Sequence, residues 1–221
     1  LLVYSGRPLD LSEESELADA ILQVWFPGTQ SGYGIADVLS GNYNPSGRLV
    51  MSFPRNVGQV PIYYNHKNTG RPVDPNNPTV DYRSKYEDAP VTPLYPFGYG
   101  LSYTTFNISN VQLSSATLSK GGKLTVTAQV ANTGKRDGEI VVQLYIRDLV
   151  GSVTRPVKEL KGFQKVALKA GESKQVQFEI TEDLLAFYNA DLKKVTEPGA
   201  FKLWVAQHSA DNSNEKDFEL K

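Results

Sequence analysis

The sequence predicts a partial α/β segment running into an all-β sandwich. Three observations carry this: short strand-like and helix-like runs alternate over residues 1 to about 50, prolines and tyrosines crowd residues 51 to about 105, and from about residue 106 the hydrophobic period becomes two.

In the first segment, Leu1 to Tyr4 is a strand, Asp10 caps a short helix with Glu13 three positions on, and Ala20 to Trp25 returns as a strand. Pro27-Gly28 breaks that strand. Thr29 or Ser31 opens a second helix, and Ile35, Val38 and Leu39 form its apolar stripe as far as Gly41. Strand, helix, strand, helix in such short order is the edge of an α/β sheet, too short to be a whole one. An apolar run at residue 1 reads as a sheet entered midway, so residues 1–50 are expected to be the C-terminal part of an α/β sandwich domain.

Residues 51–105 hold eight of the 13 prolines and seven of the 12 tyrosines. Proline lowers the entropy lost in fixing an irregular path, and tyrosine buries a flat face while keeping a polar tip. The composition predicts an ordered strap and linker between two domains. A disordered linker would carry fewer aromatics.

Residues 106–221 alternate cleanly at Lys123–Val130, Glu139–Ile146, Ser173–Ile180 and Phe201–Ala206. Asn132-Thr133-Gly134, Lys169-Ala170-Gly171-Glu172 and Glu197-Pro198-Gly199 mark turns between them. Six or seven short strands in about 115 residues predict an antiparallel sandwich of fibronectin type III-like (immunoglobulin-like) type. Trp204 and Phe178 are expected in its core.

Composition narrows the function classes. The 221 residues are 40% hydrophobic and 21% charged, with formal net charge -1, so no polycation is present to drive binding to nucleic acid or anionic membrane. No run reaches the roughly 18 apolar residues of a membrane span. Cys is absent, and His66 and His208 alone are too few for a structural zinc site. No cofactor motif is found.

Several runs present candidate sites. The run Pro27 to Gly34 follows a strand and opens a helix, where a phosphate could meet free N–H groups, but no Lys-Ser/Thr pair or dinucleotide fingerprint completes it. Close backbone packing explains its glycines better. Glu13, Glu14, Glu16 and Asp19 read as a solvated helix start. Tyr63 to Pro72 is the densest polar and aromatic patch; within it Tyr64, His66 and Arg71 are the candidate substrate-binding residues, since sugars are held by aromatic faces and hydroxyl-bonding side chains. The same patch could instead anchor the strap against a neighbouring domain. Asp74, Asp81, Glu87 and Asp88 lack the ordered spacing of a calcium loop. Neither Ser5-Gly6 nor Ser46-Gly47 forms a nucleophile elbow.

Three segments resemble the C-terminal half of family 3 glycoside hydrolases, the bacterial periplasmic β-glucosidases above all: Ala20 to Gly28; Ala36 to Leu49 with Ser52-Phe53-Pro54; and Leu94-Tyr95-Pro96-Phe97-Gly98-Tyr99-Gly100-Leu101-Ser102-Tyr103-Thr104-Thr105-Phe106. Asn68 to Pro72 and Arg155 to Phe163 agree with them.

The resemblance implies a parent protein that removes terminal β-linked glucosyl residues with retention, from an N-terminal barrel carrying an aspartate nucleophile. Retention needs two carboxylates about 5–5.5 Å apart. No residue here matches the motif of either carboxylate, so no catalytic role is assigned and the piece by itself is expected to be inactive. Its expected partners are the barrel, the remainder of the α/β domain and, for the parent, β-linked glucosides and a possible second copy, in a periplasmic or secreted setting. The alternative is a non-catalytic carbohydrate-binding or adhesion module, which leaves the half-sheet and the strap without an account.

Overall fold

The computed structural model describes residues 1–74, 77, 80 and 82–221; Pro75, Pro78 and Asp81, which the strap and cation readings included, lie outside them. Strand β1 (Leu2–Ser5) pairs in parallel with β2 (Ile21–Trp25), in register Leu2 with Ile21 through Tyr4 with Gln23. Helix α1 (Ser12–Leu17) connects them. The predicted cap at Asp10 is not formed: its Oδ1 accepts from Ser12 N at 3.0 Å, while Leu11 occupies the cap position with 4% exposure. Burial of the leucine sets where this short helix starts, and the Asp10 side chain closes a turn before it. Helix α2 (Ser31–Ser40) ends at Gly41, whose φ of 80° is the left-handed conformation favoured at a helix C-terminus.

A two-stranded sheet is marginal alone, and parallel strands are ordinarily covered on both faces. Here no residue of α2 is fully buried and every residue of β2 is only half-buried. Tyr33 and Leu39 stand 76% and 45% exposed. This part of the fold therefore depends on packing that it does not itself supply.

The sandwich is built from β3 (Phe106–Leu113), β4 (Thr117–Leu118), β5 (Lys123–Asn132), β6 (Gly138–Asp148), β7 (Glu159–Leu168), β8 (Ser173–Thr181), the helical turn α3 (Glu182–Leu185), the hairpin of β9 (Phe187–Tyr188) and β10 (Lys194–Val195), then β11 (Gly199–Ala206) and β12 (Glu215–Leu220). One sheet has the order β4-β12-β11-β6-β7 and the other β3-β5-β8. Every pair is antiparallel except β12 with β4. Alternation decides which residues face inward. Leu124, Val126, Ala128 and Val130 of β5 meet Ile140, Val142, Leu144 and Ile146 of β6, with Phe178 among them.

Trp204 departs from the sequence reading. It is buried, at 4% exposure, but outside the inter-sheet core. Along β11 the inward positions are Phe201, Leu203 and Val205, so Trp204 points to the outer face. It is buried there because the strap covers that face.

The strap is pinned along its length. Its two arms run side by side, with Phe53 N donating to Tyr95 O at 2.8 Å and Gly98 N to Leu49 O at 2.7 Å. Gln59, 1% exposed, donates to Pro90 O at 2.6 Å and accepts from Arg55 N at 2.6 Å. A run of ring contacts passes from Tyr4 and Trp25 to Phe53, from Phe53 to Tyr95, then to Tyr99 and His208, with centroids 5.6–6.3 Å apart. The half-sheet is thereby joined to the sandwich through side chains. At the C-terminal end of α2 the strap and the sandwich supply partners for open carbonyls: Tyr103 Oη donates to Val38 O at 2.7 Å and the Arg136 guanidinium donates to Gly41 O.

Asn132 closes the junction. Its Oδ1 accepts from Thr104 Oγ1 at 2.7 Å and Gly134 N at 3.1 Å, and its Nδ2 donates to Arg136 O at 2.7 Å and Leu168 O at 3.2 Å. All its polar capacity is used with 1% exposure. Asn132→Ala is expected to cost about 2–3 kcal/mol, because it leaves buried groups unpaired; a denaturant midpoint within error of the wild type would contradict the assignment.

Candidate functional site

The outer face of the five-stranded sheet carries the densest polar and aromatic assembly among the described residues. Position 145 on β6 and position 204 on β11 are register partners, which places Tyr145 and Trp204 side by side. Tyr64 and Phe97 from the strap close over them: their rings stack at 4.2 Å and 16°, and Tyr64 meets Tyr145 edge-on at 5.9 Å. Lys158 lies beneath the rings with 5% exposure, its Nζ 4.3 Å from the Trp204 ring and 5.3 Å from that of Tyr145. Nζ donates to Ser209 O at 2.9 Å, Asp211 O at 3.1 Å and Asn212 Oδ1 at 2.8 Å, so all three protons are used. Burial pulls Lys158 down to about 8, against which Asp211 and Glu215 hold the proton.

Gln143 extends the assembly. Its Nε2 donates to Gly98 O at 3.1 Å and Gln207 O at 2.6 Å, and its Oε1 accepts from Tyr145 Oη at 2.5 Å. Burial, and then Tyr64, push the Tyr145 phenol up, so it remains a donor at neutral pH. Gly98 has φ 82°, and a Cβ there would overlap the Gln143 amide. Glycine is required on both counts. The Lys158 ammonium and the Gln143 amide are spent on the chain itself. They bind the strap and the loop after β11 to the sheet.

The three predicted site residues are not gathered into one cavity. Tyr64 belongs to the stack just described, and its Oη accepts from Leu160 N at 3.2 Å. His66 is exposed; its carbonyl accepts from Val157 N at 2.9 Å, and its Nδ1 lies 3.2 Å from Lys67 O. Arg71 is exposed, with its backbone N donating to Thr69 Oγ1 at 3.3 Å. Two shallow depressions, of about 420 Å³ beside β12 and about 280 Å³ beside α1, contain none of them. Glu13, Glu14, Glu16 and Asp19 are exposed at α1. Among the described residues no three His, Cys, Asp or Glu gather to hold a metal, and no helix is long and apolar enough to cross a membrane.

Sequence reasoning missed Lys158, Gln143 and Tyr145. One signal was present: in the run Val141-Val142-Gln143-Leu144-Tyr145-Ile146 Gln143 is the one polar residue, whereas an open sheet face would alternate apolar with polar.

His208 lies at the margin, edge-on to Tyr99 at 5.6 Å, with Nδ1 buried and without a hydrogen-bond partner among the described residues. Burial lowers its affinity for a proton below the ordinary 6.5, with Lys158 acting in the same sense and Asp211 against it. Stability tied to this residue is complete above pH 6.5. It falls on acidification, because the unfolded chain takes up a proton that the folded chain resists. His208→Gln is expected to flatten the decline of the urea midpoint from pH 6.5 to about 5; an unchanged slope would contradict this.

Comparison with known proteins agrees with the architecture. The Glycosyl hydrolase family 3 C-terminal domain matches residues 1–103, and the Fibronectin type III-like domain matches residues 140–209. Residues 1–103 are a C-terminal domain of glycosyl hydrolase family 3. The chain is 53% identical over 220 residues to the "Periplasmic beta-glucosidase" of Salmonella typhimurium, covering 100% of this chain and 28% of the relative. A "Beta-xylosidase" of Formosa agariphila is 42% identical over 95% of this chain and 28% of its own length. The crystal structure of a β-glucosidase from Listeria innocua in complex with isofagomine superposes with a TM-score of 0.94 at 46% identity, over 99% of this chain and 30% of that one. The chain thus spans under a third of the family 3 proteins that it resembles.

Proposed function

We propose that this chain is the C-terminal structural and accessory portion of a retaining β-glucosidase acting on terminal, non-reducing β-D-glucosyl residues. The observation that carries the reading is the 53% identity to a β-glucosidase along 100% of the chain, combined with a sandwich face whose buried lysine is used internally. The glucoside preference over xyloside follows the higher of the two identities. Periplasmic localisation follows the Salmonella relative's name.

In this reading residues 1–50 complete the sheet of an α/β sandwich domain, residues 51–105 are the strap, and residues 106–221 are the fibronectin type III-like accessory. The exposed faces of α2 and of the β1–β2 pair then pack against the remainder of that domain. Tyr64 and His66 act as braces, one through its ring and the other through its carbonyl, and Arg71 extends the same strap. The nucleophile and the acid/base belong to the rest of the protein.

The test is kinetic. The full-length protein is expected to hydrolyse an aryl β-glucoside faster than the matching β-xyloside, and the isolated 221-residue chain to hydrolyse neither. Turnover by the isolated chain that disappears with a substituted local carboxylate would overturn the accessory role.

A further inference from the structure

We propose that the loop after β11, residues 207–214, is an acid-released latch: protonation of His208 frees the middle of the loop, and with it the strap, while the sandwich beneath stays folded. Such a device is independent of the accessory role proposed above.

The bonding pattern divides the loop into fixed ends and a separately held middle. At one end Gln207 Nε2 donates to Phe106 O at 3.2 Å; at the other Asn214 Nδ2 donates to Ile108 O at 3.1 Å and to Val205 O at 3.3 Å. Both ends are thus fastened to the sandwich. The middle is fastened to the strap and to the buried lysine. Ser209 N donates to Phe97 O at 2.9 Å, and the His208 ring meets Tyr99 edge-on. All three acceptors of the Lys158 ammonium, Ser209 O, Asp211 O and Asn212 Oδ1, lie on this one loop. A few loop residues at the ends of an element can absorb an opening motion, and here Gln207 and Asn214 are placed to be those hinges.

His208 sits where a proton forces that motion. Its Nδ1 is buried without a hydrogen-bond partner among the described residues, so an imidazolium would hold a buried donor with nothing to receive it. The groups around it give no relief. From the segment before β7, Lys158 presents a like charge. From β12, Glu215 is bonded to Trp204 Nε1 at 3.1 Å and to the Lys202 ammonium. Tyr99 of the strap and Tyr145 of β6 present rings. From the loop itself Asp211 favours the imidazolium, but both its oxygens are spent: Oδ1 accepts from Ser213 N at 3.0 Å and Ser213 Oγ at 2.6 Å, and Oδ2 from Gln207 N at 3.3 Å. Burial pushes the Asp211 carboxyl up, yet these bonds outweigh it and hold the group below the usual carboxylate range, so it stays charged where a histidine titrates. Water reaches the charged ring once the middle of the loop swings out. That movement gives up the bond to Phe97 O and the three acceptors of Lys158 in one step, and loosens the Phe97 ring from Tyr64. The open loop takes up the proton near the ordinary 6.5 and the closed loop only below it, so the open fraction grows as pH falls through 6.5, by at most about tenfold per pH unit.

The experiment is hydrogen exchange on the full-length protein from about pH 7.5 to 5.5, each rate being divided by that of the unfolded peptide at the same pH. Protection of the Ser209 amide is expected to fall severalfold, at most about tenfold, over that range. The amides of Leu203 and Val205, paired within β11, are expected to keep theirs. In His208→Gln, which cannot take up the proton, protection at Ser209 is expected to stay level. A wild-type Ser209 amide that changes by less than about twofold would overturn the latch. A fall shared equally by Leu203 and Val205 would also overturn it, since the sandwich would then be unfolding as a whole. These two outcomes are read from the wild type alone, whether or not the variant folds. The same fall in a folded His208→Gln would assign the titration to another group and overturn the role of His208.

Discussion

Replacing Phe53 by alanine is expected to destabilise the chain by about 3–5 kcal/mol and to separate the unfolding of the half-sheet from that of the sandwich. Phe53 is 1% exposed and meets Tyr4, Trp25 and Tyr95 with ring centroids 6.1–6.3 Å away. It is the one residue of the ring series that touches both the β1–β2 pair and the strap. Deleting its ring opens a cavity that the surrounding aromatics, held by their own backbone pairing, collapse into only partly. The sequence has two tryptophans, Trp25 in the half-sheet and Trp204 in the sandwich. Urea unfolding of Trp25→Phe and Trp204→Phe backgrounds therefore reports each part alone. In the wild type the two transitions are expected to coincide. With Phe53→Ala the Trp25 transition is expected to move to lower urea, while the Trp204 transition shifts less. Two transitions that move together by under 1 kcal/mol would refute the coupling.

The second large effect is expected at Lys158. Lys158→Met is expected to cost about 3 kcal/mol, since it abandons two carbonyls and one amide oxygen that are buried against the sheet. For a chain of this size that corresponds to a fall in thermal midpoint of roughly 6–12 °C. Met matches the aliphatic stem well, so the loss isolates the charged head from its packing. Lys158→Arg is not expected to rescue. A planar fork cannot place three donors around one point between two ring faces. Trp204 emission gives an independent readout, shifting to the red as water enters where the ammonium and strap had excluded it. A midpoint within about 1 °C of the wild type would show that the cation–ring contacts do not hold the strap.

The sandwich was legible because its inner faces are written in alternation: Leu124 through Val130 and Ile140 through Ile146 can satisfy a period of two in only one way. β4, β9 and β10 were not legible, because each has two residues, fewer than one period can reveal. Trp204 shows a different limit. Its burial was readable from its type, yet the face it occupies is decided by register with Leu203 and Val205, and what covers that face comes from residues over a hundred positions earlier. The expected cap at Asp10 failed for a third reason, since burial of Leu11 outweighed a local hydrogen bond. Of the candidate site residues, Tyr64 stands out in the sequence as an aromatic in a polar patch. Its partner Phe97 lay within the resemblance, but the stack between them is a tertiary fact that neither segment contains. The left-handed backbone at Trp25 is not legible in the sequence, because such a conformation at a bulky residue has no signature in composition.

The bonds around Asn132 have a consequence for how such chains can be recombined. The last residues of the strap share one set of donors and acceptors with the β5–β6 connection and the end of β7, with Thr104 on one side and Gly134, Arg136 and Leu168 on the other. A splice point at residue 105, where the composition changes, would cut that set in half. Grafting the sandwich onto another enzyme, or deleting it from this one, would have to carry Thr104 and the Phe97 to Tyr99 stretch along, or else rebuild the surface they cover. What looks in the sequence like a bead on a string is, at this boundary, closer to a dovetail joint.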